Sequence, residues 1–253
     1  MSRNLEKLNA TAKEMQQIGD RIGKEVKTRV VALDMTASGS QRSEVYEKIY
    51  NDNLSDIDIS VLINNAGYAH AGNFIEMDDA DVHKQLTCNT YPVALLTHQV
   101  LKSFRSRFEK IGRRSLLAST SSIAGTNAVP FAATYSASKR WVDFMTWALR
   151  EELSVHGVDV CCWKAATVST KMTNYSKSLF AVRPQSYASQ ALSKCTSGVT
   201  AGAFSHDLIY TFLQCILDIL PLSFIIYIFG LGARKAGDRV KERDQNQSYQ
   251  KLN

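Results

Sequence analysis

The sequence predicts an α/β protein built on a doubly wound parallel sheet. Two observations carry this: helix-periodic stretches alternate with short strand-like runs, and the most apolar of those runs delivers a glycine-containing turn at its C-terminal end. Parallel strands need right-handed crossovers, and binding sites in such sheets lie beyond the carboxyl ends of the strands. The elements follow in order. Leu5, Leu8, Ala12, Met15 and Ile18 recur at helical spacing and predict an amphipathic helix from residue 4 to about residue 20. A short strand is expected at Arg29–Leu33, ending at Asp34, and a helix is marked by Val45, Ile49 and Leu54. Ile57–Ile63 reads as a buried strand that runs into Asn64-Asn65-Ala66-Gly67. Asp79 to about Phe108 is expected as one long helix, Ser115–Ala118 as a strand, Ala132–Val155 as a helix and Val158–Trp163 as a strand.

At 253 residues and 45% hydrophobic, the chain suits one core with an appendage better than two domains. The expected organisation is a catalytic domain over 1–175, a helical region over 176–233 and a basic polar tail over 234–253. The net charge of +6 is spread along the chain and densifies only near the C-terminus, which suits an anionic cofactor or acidic lipid as well as it suits nucleic acid. No nucleic-acid partner is expected. The five cysteines form no CxxC pair and are expected to be reduced and buried, with Cys161 and Cys162 on opposite faces of one strand. Met1 leads straight into polar Ser2-Arg3-Asn4, so no signal peptide is expected, and no repeats occur.

After Thr170 the pattern turns helix-rich and polar, then apolar from Leu208 to Phe229, where Asp218 is the only charge. That segment has the length of a bilayer span of about 20 residues, yet Gln214, Asp218 and Pro221 interrupt it. A hairpin packed on the domain or dipped into a membrane interface is the simpler expectation, with a true span as its rival. Arg234, Lys235, Arg239, Lys241 and Arg243 would then face anionic headgroups on the cytosolic side.

The chemistry-bearing residues cluster on the predicted strand ends. Tyr135 and Lys139 are one helical turn apart, so their side chains share a face. A phenol titrates near 10, and a close ammonium is expected to pull it down by stabilising the phenolate. Ser122, beyond the strand Ser115–Ala118, is placed to hydrogen-bond a carbonyl oxygen that Tyr135 protonates. Asn89 is an unfavourable helix residue, with an expected use in holding a water beside Lys139. A lone Tyr-x-x-x-Lys carries little weight, because such pairs arise by chance on exposed helices. The joint order of Asn64-Asn65-Ala66-Gly67, Asn89, a Ser-rich strand end and Tyr135-Ser136-Ala137-Ser138-Lys139 carries much more.

That order resembles the short-chain dehydrogenases/reductases over residues 1 to 175. The resemblance implies a Rossmann-like fold, a catalytic tetrad of Asn89, Ser122, Tyr135 and Lys139, and a grip of Lys139 on the nicotinamide ribose. It further implies that Asp34 lies near the adenine, that Asn64, Ala66 and Gly67 line the cofactor, and that Thr170 meets the carboxamide. Arg3 matches the basic residue that meets a 2′-phosphate, which implies NADPH. Tyr187, Ala191, Gly198, Thr200, Gly202, His206 and Pro221, ahead of the basic tail, resemble more narrowly the microsomal very-long-chain 3-oxoacyl-CoA reductases, also described as 17β-hydroxysteroid dehydrogenase type 12. This implies a long-chain 3-oxoacyl-CoA or steroid substrate, residence in the endoplasmic reticulum membrane with the catalytic domain facing the cytosol, lipid contact at 208–229, and a homodimer through the helices 79–108 and 132–155.

Two departures stand out. The family's Thr-Gly-x-x-x-Gly-x-Gly, whose backbone amides hold the pyrophosphate, does not occur in these residues. Measured on the family's strand order 3-2-1-4-5-6-7, the sheet is therefore expected to be truncated at its N-terminal side. Arg29–Leu33 should stand three strand spacings, about 14 Å, from Ile59–Ile63, or pair with it in a way foreign to the family. After Val158–Trp163 the sequence has Lys164-Ala165-Ala166 in place of the usual Pro-Gly, leaving that loop's geometry open. Two functional readings remain at this point: an NADPH-dependent reductase, and a catalytically inactive piece lacking the phosphate-binding loop.

Overall fold

The computed structural model describes residues 1–37, 42–195, 198–228 and 230–231. Its centre is an all-parallel sheet of β1 (Val61–Asn64), β2 (Ser115–Ser122), β3 (Val158–Ala165) and β4 (Val199–Thr200), in that order. Helices α1 (Leu5–Arg21) and α2 (Arg42–Asn53) precede β1; α3 (Asp79–Tyr91) and α4 (Thr97–Ile111) lie between β1 and β2. Helix α5 (Ala133–Ser154) joins β2 to β3, α6 (Pro184–Ser193) joins β3 to β4, and α7 (Phe204–Ile219) follows. The alternation expected from sequence is thus the observed architecture.

The alternation within each strand sorts the core into two layers. Leu117, Val158 and Val160 face one way and close on Tyr46 of α2 and Leu96, Val100 and Phe104 of the α3–α4 connection and α4. Ala118, Cys161 and Trp163 face the other way and meet Ala191 and Cys195 at the end of α6. Cys161 and Cys162 do point to opposite faces, since Cys162 Sγ lies 3.4 Å from Asp143 Oδ1 of α5. None of the five cysteines is in a disulfide; Cys215 is exposed rather than buried, because it lies on the outward side of α7.

The N-terminal side departs from the expected strands. Arg29–Leu33 is not a strand here: it makes one isolated parallel bridge, Ser2 to Ala32, with Leu33 N donating to Ser2 O at 3.0 Å. Among the described residues β1 pairs with β2 alone, and it begins at Val61 rather than Ile57. A segment joins a sheet only where a neighbouring strand is in hydrogen-bonding reach, and where the family's first strand would lie there is instead a cavity of about 680 Å³ between Leu33–Thr36 and Leu62–Tyr68. The open gap is therefore what the chain shows, and the alternative pairing of the two segments is not.

The long helix expected over 79–108 is two helices. Pro92 has no N–H to give to the preceding turn, and residues Pro92–Leu96 widen into a π-turn between α3 and α4. A proline also breaks the apolar segment 208–229. Leu220, ahead of Pro221, is forced into extended geometry (φ −103°, ψ 142°), ending α7, and a short helix follows over 222–228. Among the described residues no helix is long and apolar enough to cross a membrane. The basic residues from Arg234 to Arg243 lie outside the described residues.

Candidate active site

The site forms where β1, β2 and the N-terminal turns of α5 converge. Ser122 is the last residue of β2, and its Oγ accepts from Ala124 N at 3.1 Å, which fixes the hydroxyl at the head of the turn Ile123–Gly125. Gly125 then lets α5 come close. A Cβ there would lie 2.8 Å from the backbone carbon of Lys139, so no side chain fits between turn and helix. On α5, Tyr135 and Lys139 share the face turned to the strand ends.

Lys139 is buried at 5% exposure, and its Nζ donates to Thr120 O at 2.9 Å. Burial pushes its pKa down to about 8, against the raising influence of Cys88, Cys162 and Asp143. It therefore still carries its charge at neutral pH. Tyr135 is held above the ordinary phenol value by burial, and a hydrogen bond with Ser122 pulls the other way. The expected lowering of Tyr135 by Lys139 is not the arrangement found. Nζ stands 6.0 Å from the ring centroid with its proton directed to Thr120, so Ser122 is the group that favours the phenolate.

Asn89, 1% exposed, ties three elements together. Its Oδ1 accepts from Tyr68 N at 2.8 Å, and its Nδ2 lies 3.0 Å from Tyr68 O and 2.9 Å from Ser138 Oγ. These contacts position the turn after β1 against α5. A Cβ on Gly67 in that turn would sit 3.4 Å from Lys139 Nζ and 3.6 Å from Asn89 Oδ1. The glycine thus leaves the space in which a ligand could approach both side chains.

The same turn borders the cavity of about 680 Å³ described above, which is lined by Arg3, Asp34, Asn64, Ala66 and Gly67 among others. Five of the residues expected to touch a cofactor are thereby brought to one space that abuts Lys139. Two are committed elsewhere in part: Asn64 Nδ2 donates to Thr97 Oγ1 at 2.9 Å, and Asp34 Oδ1 accepts from Thr36 N at 2.8 Å. Thr170 is not brought to the tetrad by any hydrogen bond; it heads the turn Lys171–Thr173, where its N–H donates to Thr173 Oγ1 at 3.0 Å. The donor set fits the adenosine and nicotinamide ends of a dinucleotide, since it offers Arg3 and Asp34 at one end and Gly67 beside Lys139 at the other.

Sequence reasoning missed several supports. The Thr120 carbonyl that holds Lys139 is backbone and leaves no trace in residue type, and Ser138 meets Asn89 from a distant part of the sequence. The loop that has lost Pro-Gly is held by buried His206: Nδ1 accepts from Ala166 N, and Nε2 lies 3.2 Å from Thr167 O. Burial lowers the His206 pKa, consistent with a neutral ring that accepts at one nitrogen and donates at the other.

The sequence pattern of the short chain dehydrogenases matches residues 1–179. The chain belongs to the short-chain dehydrogenase family. Among its relatives are very-long-chain 3-oxoacyl-CoA reductases from Schizosaccharomyces pombe (31% identity, 76% of this chain, 55% of that protein) and Anas platyrhynchos (30%, 89% and 68%). The 17-beta-hydroxysteroid dehydrogenase type 3 of Rattus norvegicus is equally similar (30%, 87% and 67%). The chain spans 55% to 68% of the length of these short-chain dehydrogenases. A solved structure from work on 7beta-hydroxysteroid dehydrogenase stereoselectivity superposes with a TM-score of 0.73 at 20% identity, covering 90% of this chain and 84% of that one. The 3-ketoacyl-(acyl-carrier-protein) reductase of Brucella melitensis, solved with NADH, superposes at 0.57 with 21% identity over 70% and 73%. At these identities the likeness is one of fold.

Proposed function

We propose that this short-chain dehydrogenase reduces the 3-oxo group of long-chain 3-oxoacyl-CoA with NADPH, in fatty acid elongation. The observation that carries the reading is the joint placement of Ser122, Tyr135 and Lys139 beside the cavity that Arg3, Asp34, Asn64, Ala66 and Gly67 line. In that space NADPH would supply the hydride. The chain's own residues do the rest. Ser122 donates a hydrogen bond to the substrate carbonyl oxygen and steadies the charge that grows there. Tyr135, whose phenol burial holds above its ordinary value, gives that oxygen its proton. Lys139, still charged below about pH 8 and held by Thr120 O, would offer a remaining N–H to a ribose hydroxyl of the cofactor, while Ser122 is the group that favours the resulting phenolate. Arg3 supports NADPH over NADH, because it is the cation at the end of the cavity where Asp34 would meet the adenosine.

The test is NADPH oxidation by the purified chain with a long 3-oxoacyl-CoA. Tyr135→Phe should abolish it, and unchanged turnover would rule the assignment out. A titration of NADPH against the same chain addresses the missing glycine-rich loop separately: micromolar affinity contradicts an inactive piece, and no affinity supports it. A hydroxysteroid substrate is the second reading, favoured by the equal likeness to the rat steroid dehydrogenase. Substrate competition separates the two. The same proposal includes an endoplasmic reticulum membrane location with the catalytic domain in the cytosol. The exposed Leu208 and Phe212 of α7 would contact lipid, and the exposed Trp141 and Phe144 of α5 would serve a homodimer. Carbonate extraction of membranes and sedimentation of the solubilised chain measure these two points.

A further inference from the structure

In the sheet, Ala165 at the end of β3 is the register partner of Ser122 at the end of β2. The chain then leaves the sheet and makes an excursion over residues 170–181 before it returns at Val182, ahead of α6. The two ends of that excursion are tied together. Val182 N donates to Thr167 O at 3.1 Å and Ser169 N to Val182 O at 2.9 Å, a neck of two backbone hydrogen bonds. Beyond the neck the segment is fixed within itself, since Tyr175 N donates to Thr170 O at 2.7 Å and Thr173 Oγ1 to Val168 O at 2.6 Å. Its stance relative to the strand ends is therefore decided at the neck.

His206, in the first turn of α7 and wholly buried, reaches that neck. With Nδ1 accepting from Ala166 N at 3.2 Å and Nε2 3.2 Å from Thr167 O, one ring grips two successive residues. The Phe180 backbone on the returning arm also faces the ring. A ring that accepts at Nδ1 carries its proton on Nε2 and is neutral. Protonation would set a second ring N–H against the N–H of Ala166, and two donors do not bond each other.

The surroundings favour the neutral ring. Tyr187 of α6 lies against it with centroids 5.4 Å apart, and burial lowers the His206 pKa against the raising influence of the Thr167, Phe180 and Ala201 backbone and of Asp207. Burial pushes Tyr187 up, and with it Cys161 and Cys162 on β3. Partial burial raises Asp207, yet Lys194, Ala201 N and Thr200 together hold it below its ordinary value. Of these groups, His206 is the one that changes charge just below neutral pH.

We propose that His206 is a positioning residue for the reaction: its neutral ring clamps the neck of the excursion at Ala166 and Thr167, beside Ser122, and lets it go on protonation. The word reaction rests on the reductase reading; the clamp itself does not. With the neck open the ring meets water and titrates near about 6.5, and with the neck closed it titrates lower. Opening therefore takes up a proton between those two values. It becomes easier as pH falls through them and is independent of pH above about 6.5.

Hydrogen exchange of the full chain from about pH 7.5 to about pH 5, read at Ala166 and Val182 as protection over an unstructured chain, tests the clamp. Protection should fall by up to about tenfold per pH unit below about 6.5, while Val160 within β3 keeps its own. His206→Asn retains an acceptor for Ala166 N but does not titrate, and should remove the pH dependence. In the parent chain, which needs no variant to fold, the His206 ring resonances should titrate at the pH where protection levels off. With NADPH and a long 3-oxoacyl-CoA, acid should raise KM more than it lowers kcat, and His206→Asn should flatten that rise. Protection that ignores pH overturns the proposal, as does a pH dependence that survives in His206→Asn. A KM that stays flat while protection falls overturns the positioning role. A parent chain without turnover sinks the reductase reading instead, and exchange, which needs no substrate, still decides the clamp.

Discussion

On β2, β3 and the inward face of α5 the side chains are closed in, with Ala118, Cys161 and Asp143 at 0% exposure, whereas on α1 Leu5, Met15 and Ile18 stand 53%, 50% and 45% exposed. Both regions are written with correct periodicity. The difference is that the inward faces of the first find neighbours, while the apolar stripe of α1 stays exposed and Leu33, at the end of the segment 29–33, borders a cavity where a sheet strand would lie. A periodic pattern specifies which face must be buried, and packing decides whether the burial is collected. The proton-transfer residues belong to the closed region, and the adenosine-end residues Arg3 and Asp34 to the open one.

The comparison can be broken or sharpened by measurement. The largest effect is expected at Asp143, whose carboxylate faces Lys164 at 2.9 Å in an ion pair that lacks hydrogen-bond alignment. Asp143→Ala leaves a buried ammonium uncompensated and should destabilise the chain by about 3–5 kcal/mol in urea unfolding, with Lys164→Met restoring most of the loss in the double variant. A small loss would mean that the closed region is not dry.

Lys139 gives the next. Its folded-state pKa is depressed to about 8 from 10.5, so the penalty for burying its charge is fully present below pH 8 and fades as pH rises to 10.5. Lys139→Met should therefore be more stable than the parent chain at pH 7 by on the order of 2–3 kcal/mol, with the gap closing toward pH 10.5. A gap independent of pH would contradict the depressed value.

Asn89→Ala removes the contacts to Tyr68 and Ser138 and should destabilise by about 1–3 kcal/mol. Because Asn89 joins the turn after β1 to α5, amide exchange at Tyr68 should quicken more than exchange within β3. Smallest of all, Met15→Ser on α1 should shift stability by no more than about 0.5 kcal/mol, since half the side chain is already in water. A larger loss would show that α1 is packed in solution and would erase the contrast.

These differences track what the sequence could disclose. The helix carrying Tyr135 and Lys139 was legible because one residue spacing sets both the helix and the shared face. Break points at Pro221 and the turn Asn64–Gly67 were legible from local stereochemistry. Arg29–Leu33 has strand-like composition, but strand formation depends on a partner that local sequence does not name. The two-residue β4 was too short to carry a period, and it is held by Asp207, whose Oδ1 accepts from Thr200 Oγ1 and Ala201 N. The Lys139–Thr120 bond was invisible because any residue supplies a carbonyl.

The wide turn at Pro92 has a geometric consequence for the whole site. Gln85, Asn89, Val93 and Thr97, all at 6% exposure or less, are spaced by four along α3, the π-turn and the start of α4. In an undistorted helix each such step drifts by about 40°, so the three steps would swing Thr97 about a third of the way round the axis from Gln85. A wider turn takes up that drift. One rod can then keep two appointments, Asn89 with Ser138 on α5 and Thr97 with Asn64 at the tip of β1, so the proline acts as a phase corrector that sets the strand end and the catalytic helix from a single axis.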